Sequence, residues 1–162
     1  MKSPYLVFGD RTYVMGIINV TPDSFSGDGL LGNPDVIQAA IDQAKRFVAA
    51  GAAILDIGGE STRPGSQPVD SIEERGRVLP VIHALAHQNL DVILSIDTYK
   101  SEVAADAIKV GANWINDVWG LRADPKLAEV AARFKKPIIL MHNRSRPSSA
   151  ELQERLGGRY IS

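Results

Sequence analysis

Five short apolar runs recur along the chain, and each gives way to hydrogen-bonding or ionisable residues: Val14–Val20, Ile54–Ile57, Val92–Ile96, Asn113–Ile115 and Pro137–Met141. A strand with one wet face alternates apolar and polar residues, whereas a strand covered on both faces has no need to. Unbroken runs therefore demand a sheet buried on both sides, and the segments between them must supply the cover.

Those segments carry helix punctuation. Asn33-Pro34 offers an N-cap and a first-turn proline, Val36, Ile37, Ala40, Ile41, Ala44, Phe47 and Val48 share one helical face, and Gly51 ends the pattern. Ser71-Ile-Glu-Glu74 has capping-box spacing and opens a helix to about Asn89, with a kink expected at Pro80. Thr98–Lys109, closed by Gly111, reads as a third helix. Asp124-Pro125 opens a fourth, and Ser148–Glu151 a last one before Gly157-Gly158. Ahead of them, Tyr5–Phe8 and Thr12–Val14 flank Gly9-Asp10-Arg11 as a short N-terminal β-hairpin. With no linker-like break, residues 1–162 read as one α/β domain.

Strands alternating with helices make a parallel sheet, either open or closed. At 162 residues, length alone favours an open five-stranded flavodoxin-like sheet, because a complete (β/α)8 barrel takes about 250 residues. The other possibility is about five βα units of such a barrel. Either sheet binds ligands at the carboxyl ends of its strands.

Composition narrows the partners. With 18 Lys+Arg against 19 Asp+Glu there is no field to attract nucleic acid or an anionic membrane surface. No stretch approaches the roughly 18 apolar residues of a bilayer span. The lack of cysteine rules out a disulfide framework, a thiolate nucleophile and Cys-ligated zinc. The expectation is a cytoplasmic globular protein.

The strand ends hold Asn19 with Thr21–Gly29, Asp56 with Gly58–Gly65, Ser95 with Asp97 and Thr98, Asn116 with Asp117, and His142–Arg144. Five strands delivering polar groups to one rim predict a site. Asp97 and Asn116 offer an acceptor beside an amide that both donates and accepts, which suits the edge of a flat nitrogen heterocycle. Alternatively, Asp97 caps the following helix and Asn116 is a buried structural amide. The two long first loops, with Arg63 in the second, suit an anion such as phosphate, and Asn19 could help hold Mg2+. Alternatively, their Gly and Pro only make turns and Arg63 is solvated.

Two patterns mislead. Gly27-Asp-Gly-Leu-Leu-Gly32 matches a dinucleotide fingerprint, yet Thr21–Ser26 separates it from the strand and the helix opens only after it. His83 and His87 have metal-ligand spacing, but no Glu lies between them and they border an apolar stripe, so they read as a solvated face. His142, at a strand end, fits ligand contact and structural hydrogen bonding equally.

Met15–Ser26, Asp56–Gly65, Ser95–Thr98, Ile115–Val118 and Met141-His142 together resemble dihydropteroate synthase in order and spacing. The resemblance covers essentially the whole chain, but only about the first five βα units of that family's eight-stranded barrel. It implies a partial (β/α)8 TIM barrel. It also implies the condensation of 6-hydroxymethyl-7,8-dihydropterin diphosphate with p-aminobenzoate, giving dihydropteroate and diphosphate in folate biosynthesis. Asp97, Arg63 and Asn19 would carry the catalysis. Asp97 and Asn116 would read the pterin edge, with Asp56 beside them on the barrel floor and Met141 packed on the ring. Asn19 would contact a Mg2+–diphosphate, and Thr62, Arg63, Pro64, Phe25 and Asp28 would belong to loops closing over diphosphate and aminobenzoate.

The first loop reads Ser26-Gly-Asp-Gly29 where many members have Ser-Asp-Gly-Gly. The family also draws an Asp-Pro-Gly segment, a Lys and an Arg–His pair from its last three strands, and none follows Ser162. The expectation is a fragment of a longer enzyme, a truncation, or a piece that pairs with another copy as a homodimer. Two other readings share the Asp and Asn strand ends: a non-catalytic pterin-binding remnant and a pterin-dependent methyltransferase domain.

Overall fold

A computed structural model describes residues 6–21, 34–61, 68–144, 147 and 149–157. Strands and helices alternate throughout: β1 (Val14–Asn19), α1 (Pro34–Ala49), β2 (Ala52–Gly58), α2 (Ser71–Ala86), β3 (Ile93–Asp97), α3 (Ser101–Val110), β4 (Trp114–Asp117), α4 (Lys126–Phe134), β5 (Ile138–Leu140) and α5 (Ala150–Arg155). Every strand pair is parallel, and the spatial order is β1-β2-β3-β4-β5. Right-handed crossovers in a strictly sequential order place the helices on one face. A doubly wound sheet instead reverses its strand order and covers both faces. The flavodoxin-like arrangement favoured by length is therefore replaced by consecutive units of a (β/α)8 barrel.

The helix-side face is a row of isoleucines in register, Ile18, Ile57, Ile96, Ile115 and Ile138. The first four are fully buried. They form one core with Ala40 and Ala44 of α1, Val78, Ile82 and Leu85 of α2, and Val103 and Ala107 of α3. Each such side chain contributes about 1.5–3 kcal/mol on leaving water. Strand alternation then turns residues 17 and 19, 56 and 58, 95 and 97, and 114 and 116 toward the other, inner face.

Three boundaries differ from the sequence pattern, each through a local hydrogen bond. Asp70, not Ser71, caps α2, its Oδ1 accepting from Glu73 N at 2.8 Å. The helix runs through Pro80 to Ala86. Helix α3 starts at Ser101 because Thr98 N still donates to Asn116 O (3.0 Å), and Thr98 Oγ1 then takes the Lys100 amide (3.1 Å). The expected hairpin is a turn at residues 8–10 without paired strands among residues 6–13. The Tyr13 hydroxyl accepts from Val7 N at 3.1 Å and donates to Val7 O at 3.0 Å, satisfying groups a ladder would have paired.

Candidate active site

The carboxyl ends of four neighbouring strands align Asn19, Gly58, Asp97 and Asn116 in one register row. With strands about 4.8 Å apart, that row spans about 14 Å on the inner face. One step down lie Ile17, Asp56, Ser95 and Trp114. Asn116 Nδ2 donates to Asp56 Oδ2 at 2.8 Å, joining β4 to β2 across the intervening β3. Ser95 occupies the position between them, and its small side chain leaves the two free to meet.

The two central residues of this lower row are buried and incompletely satisfied. Asp56 is 3% exposed and Ser95 fully buried. Asp56 Oδ1 and the Ser95 hydroxyl have no hydrogen-bond partner among the described residues. Buried polar atoms without partners are rare and costly, and here they face the same side as Asp97 and Asn116.

Burial raises the pKa of Asp56, opposed by the nearby Ser95 hydroxyl and the Asn116 amide. Asp97 is pushed up to about 8, first by burial and then by the negative charges of Asp56, Glu74, Asp117 and Glu60. A carboxyl so placed holds its proton at neutral pH until a ligand or cation compensates the charge. Between Asn19 and Asp97, Gly58 keeps the row open. A Cβ added there would lie 3.4 Å from Asp97 Oδ2 and 3.8 Å from Asn19 Oδ1, filling the gap between the two side chains.

Asp97 is not a helix cap, since Lys100 holds the N-cap position of α3. Asn116 is tied to Asp56 yet stays partly exposed at the rim. Its neighbour Asp117 faces the helix side, accepting from Trp119 N (2.8 Å) and Leu121 N (2.5 Å) to shape the turn after β4. Met141 lies two residues past Ile139, the register partner of Asn116, and is 47% exposed. Asn19 is exposed at the end of β1. The structure thus brings Asn19, Asp56, Asp97 and Asn116 together and places Met141 on the adjoining strand end. Phe25, Asp28, Thr62, Arg63 and Pro64 lie outside the described residues.

His83 on α2 and His87 at its C-cap are exposed, their rings 4.4 Å apart, and His87 Nδ1 lies 2.7 Å from the His83 carbonyl oxygen. No cluster of three or more His, Cys, Asp or Glu able to hold a metal occurs among the described residues. Nor is any helix among them long and apolar enough to cross a membrane. The sequence reading gave Gly58 and Ser95 no role of their own, and it missed an ion cluster of Glu60, Glu74 and Lys100 beside the site. One signal was present: Glu74 shares the α2 face of Val78, Val81, Ile82 and Leu85, an acid on an apolar stripe.

The model of the family described as "Pterin binding enzyme" matches residues 15–159. The chain belongs to the pterin-binding enzyme family. Among members, it is 52% identical over 143 residues to the dihydropteroate synthase of Bacillus subtilis, covering 88% of this chain and 49% of the relative. The Clostridium difficile dihydropteroate synthase solved in the presence of pteroic acid superposes with a TM-score of 0.81 at 48% identity, covering 90% of this chain and 54% of that one. The Xanthomonas albilineans enzyme with 4-aminobenzoic acid gives a TM-score of 0.74 at 48% identity, covering 83% and 47%. These similarities agree with an α/β fold made of consecutive units of a partial (β/α)8 barrel, and the chain spans about half the length of the relatives it matches.

Proposed function

We propose that this chain forms the pterin-holding part of a dihydropteroate synthase. The observation that carries the proposal is the register row Asn19–Gly58–Asp97–Asn116 over a buried, hydrogen-bond-deficient Asp56–Ser95 pair. Such a surface offers acceptors and donors in one plane to a flat heterocycle, as a pterin edge requires. The reaction joins 6-hydroxymethyl-7,8-dihydropterin diphosphate to p-aminobenzoate. The bond from the pterin methylene to diphosphate breaks, the electron-rich ring stabilises the resulting cation, and the aryl amine nitrogen attacks the methylene and loses a proton. No enzyme nucleophile is needed. The protein's part is to hold the ring, orient the weak nucleophile and exclude water.

Within this reading Asp97 and Asn116 engage the pterin edge, Asp56 fixes Asn116 from below, and Met141 packs against the ring. Arg63, Thr62, Pro64, Phe25 and Asp28 carry over from the resemblance as the residues meeting diphosphate and aminobenzoate. Asn19 carries over from the resemblance as the residue that would hold Mg2+. One amide oxygen suits an ion that keeps most of its waters and shares phosphate oxygens with its ligand. When bound, the ion would neutralise charge on the departing diphosphate. The reading also carries a cytoplasmic setting and a homodimer.

Calorimetric titration of Asp97→Asn tests the assignment. The substitution should weaken binding of 6-hydroxymethyl-7,8-dihydropterin more than that of p-aminobenzoate, and equal losses would refute it. Supplying both substrates with Mg2+ separates synthesis from binding alone: dihydropteroate formed by the chain supports the synthase, whereas tight pterin binding without product identifies a non-catalytic pterin-binding protein.

A further inference from the structure

Beside the site, three charged side chains, one past the end of β2, one on α2 and one at the N-cap of α3, meet away from water. Lys100 Nζ pairs with both Glu60 and Glu74, and the three side chains are 16%, 10% and 1% exposed. Tyr99 closes the cluster, its hydroxyl donating to Glu60 (3.2 Å) while its ring lies 4.6 Å from the Lys100 ammonium. Burial alone would lower the pKa of Lys100, but Glu74 and Glu60 hold it above the ordinary lysine value. Burial raises that of Glu74 more than Lys100 lowers it.

Buried ion clusters are poor sources of stability, because desolvation offsets the attraction, so geometry is what this one supplies. Glu60 stands two residues after Gly58, and Lys100 three after Asp97. The cluster therefore ties the two strand ends at the centre of the row to each other and to α2. The backbone between them is held as well: Arg77 Nη1 donates to Gly59 O at 2.6 Å. Gly59 packs so closely on α2 that an added Cβ would lie 2.7 Å from Val78 Cγ1.

We propose that Lys100 is a positioning residue: by drawing Glu60 against Glu74 it fixes the ends of β2 and β3 at the separation that lets Asp97 and Asn116 engage a pterin edge. The proposal rests on the pterin reading above. The double variant Lys100→Met/Glu74→Met removes the buried pair with apolar side chains of similar volume, which folds tolerate well, and leaves Glu60 held by the Tyr99 hydroxyl without its cation. Two readouts apply: NMR backbone order parameters at Gly58–Glu60 and calorimetric affinity for 6-hydroxymethyl-7,8-dihydropterin. Order parameters should fall from the rigid range near ~0.85 toward ~0.6, with Ile96 unchanged. Affinity should drop about tenfold or more, as misplacement of contacting groups does. Unchanged order parameters, or slackened ones with unchanged affinity, would overturn the proposal. If the double variant does not fold, Glu60→Gln, which keeps the side-chain shape and removes only the carboxylate, is read the same way. A wild-type chain that binds no pterin sinks the functional reading, while the order parameters still decide the clamp.

Discussion

Asn116 donates its side-chain N–H to Asp56 Oδ2 at 2.8 Å across an intervening strand. An ionised carboxylate can only accept, so the contact fixes which way the Asn116 amide faces and leaves its oxygen for a ligand. Replacing Asn116 by Ala removes the sole hydrogen-bond donor that Asp56 has among the described residues. Stranding a buried polar group costs about 1–3 kcal/mol. Urea unfolding should register that loss, and pterin affinity should fall with it. A fully stable Asn116→Ala protein would show that Asp56 finds its donors elsewhere.

Gly58 offers a cleaner separation of folding from binding. The added methyl of Gly58→Ala would meet Asp97 Oδ2 at 3.4 Å and Asn19 Oδ1 at 3.8 Å, ordinary contact distances. The melting temperature should stay within a few degrees of wild type. The methyl would nevertheless stand between the two polar groups, so calorimetry should show weakened pterin binding. Unaltered affinity would place the ligand away from this gap.

The crowded carboxylates make stability depend on pH in an unusual direction. Asp97 titrates at about 8 in the folded chain against 3.8 when unperturbed, and Asp56 is raised as well. Between those values the folded state binds more protons than the unfolded one, so unfolding free energy falls as pH rises. Asp106 and Asp124 are held low and act below this window. Thermal melts from pH 5 upward should therefore show stability declining toward pH 8 and levelling beyond it, with Asp97→Asn flattening the slope. A melting temperature that climbs steadily over that range would contradict the burial of Asp97 among like charges.

The strands were legible because unbroken apolar runs mark them, and β1 to β5 fall on the five runs, although only β2 and β3 are buried on both faces while β1 and β5 leave Val14, Ile17 and Leu140 exposed. Asp97 and Asn116 were legible for a related reason: a parallel strand must end in its site. What escaped depended on register or on distant partners. Ser95 matters because it lies between Asp56 and Asn116, and Gly58 because it lies between Asn19 and Asp97. Lys100 meets Glu60 and Glu74 over separations of 40 and 26 residues, which no local pattern reports. Boundaries failed where one side chain decided them, as Thr98 did for α3 and Tyr13 for the expected hairpin.

The helix-side face gives the severest test of the architecture. Ile57 is fully buried between Ile18 and Ile96 in the register row, against the helices. Ile57→Asp would place a carboxylate there with no cation or donor in the row to receive it. An unpaired buried charge either shifts its pKa or unfolds its surroundings, at a cost of several kcal/mol. Because both neighbouring strands use the same layer, the loss should be cooperative across the sheet, seen as a lower urea midpoint with an unchanged slope. The conservative Ile57→Val should cost only about 0.5–1.5 kcal/mol. An Ile57→Asp chain that melts like wild type would mean that β2 turns its other face to the helices, which would put Asp56 and Gly58 outside the site.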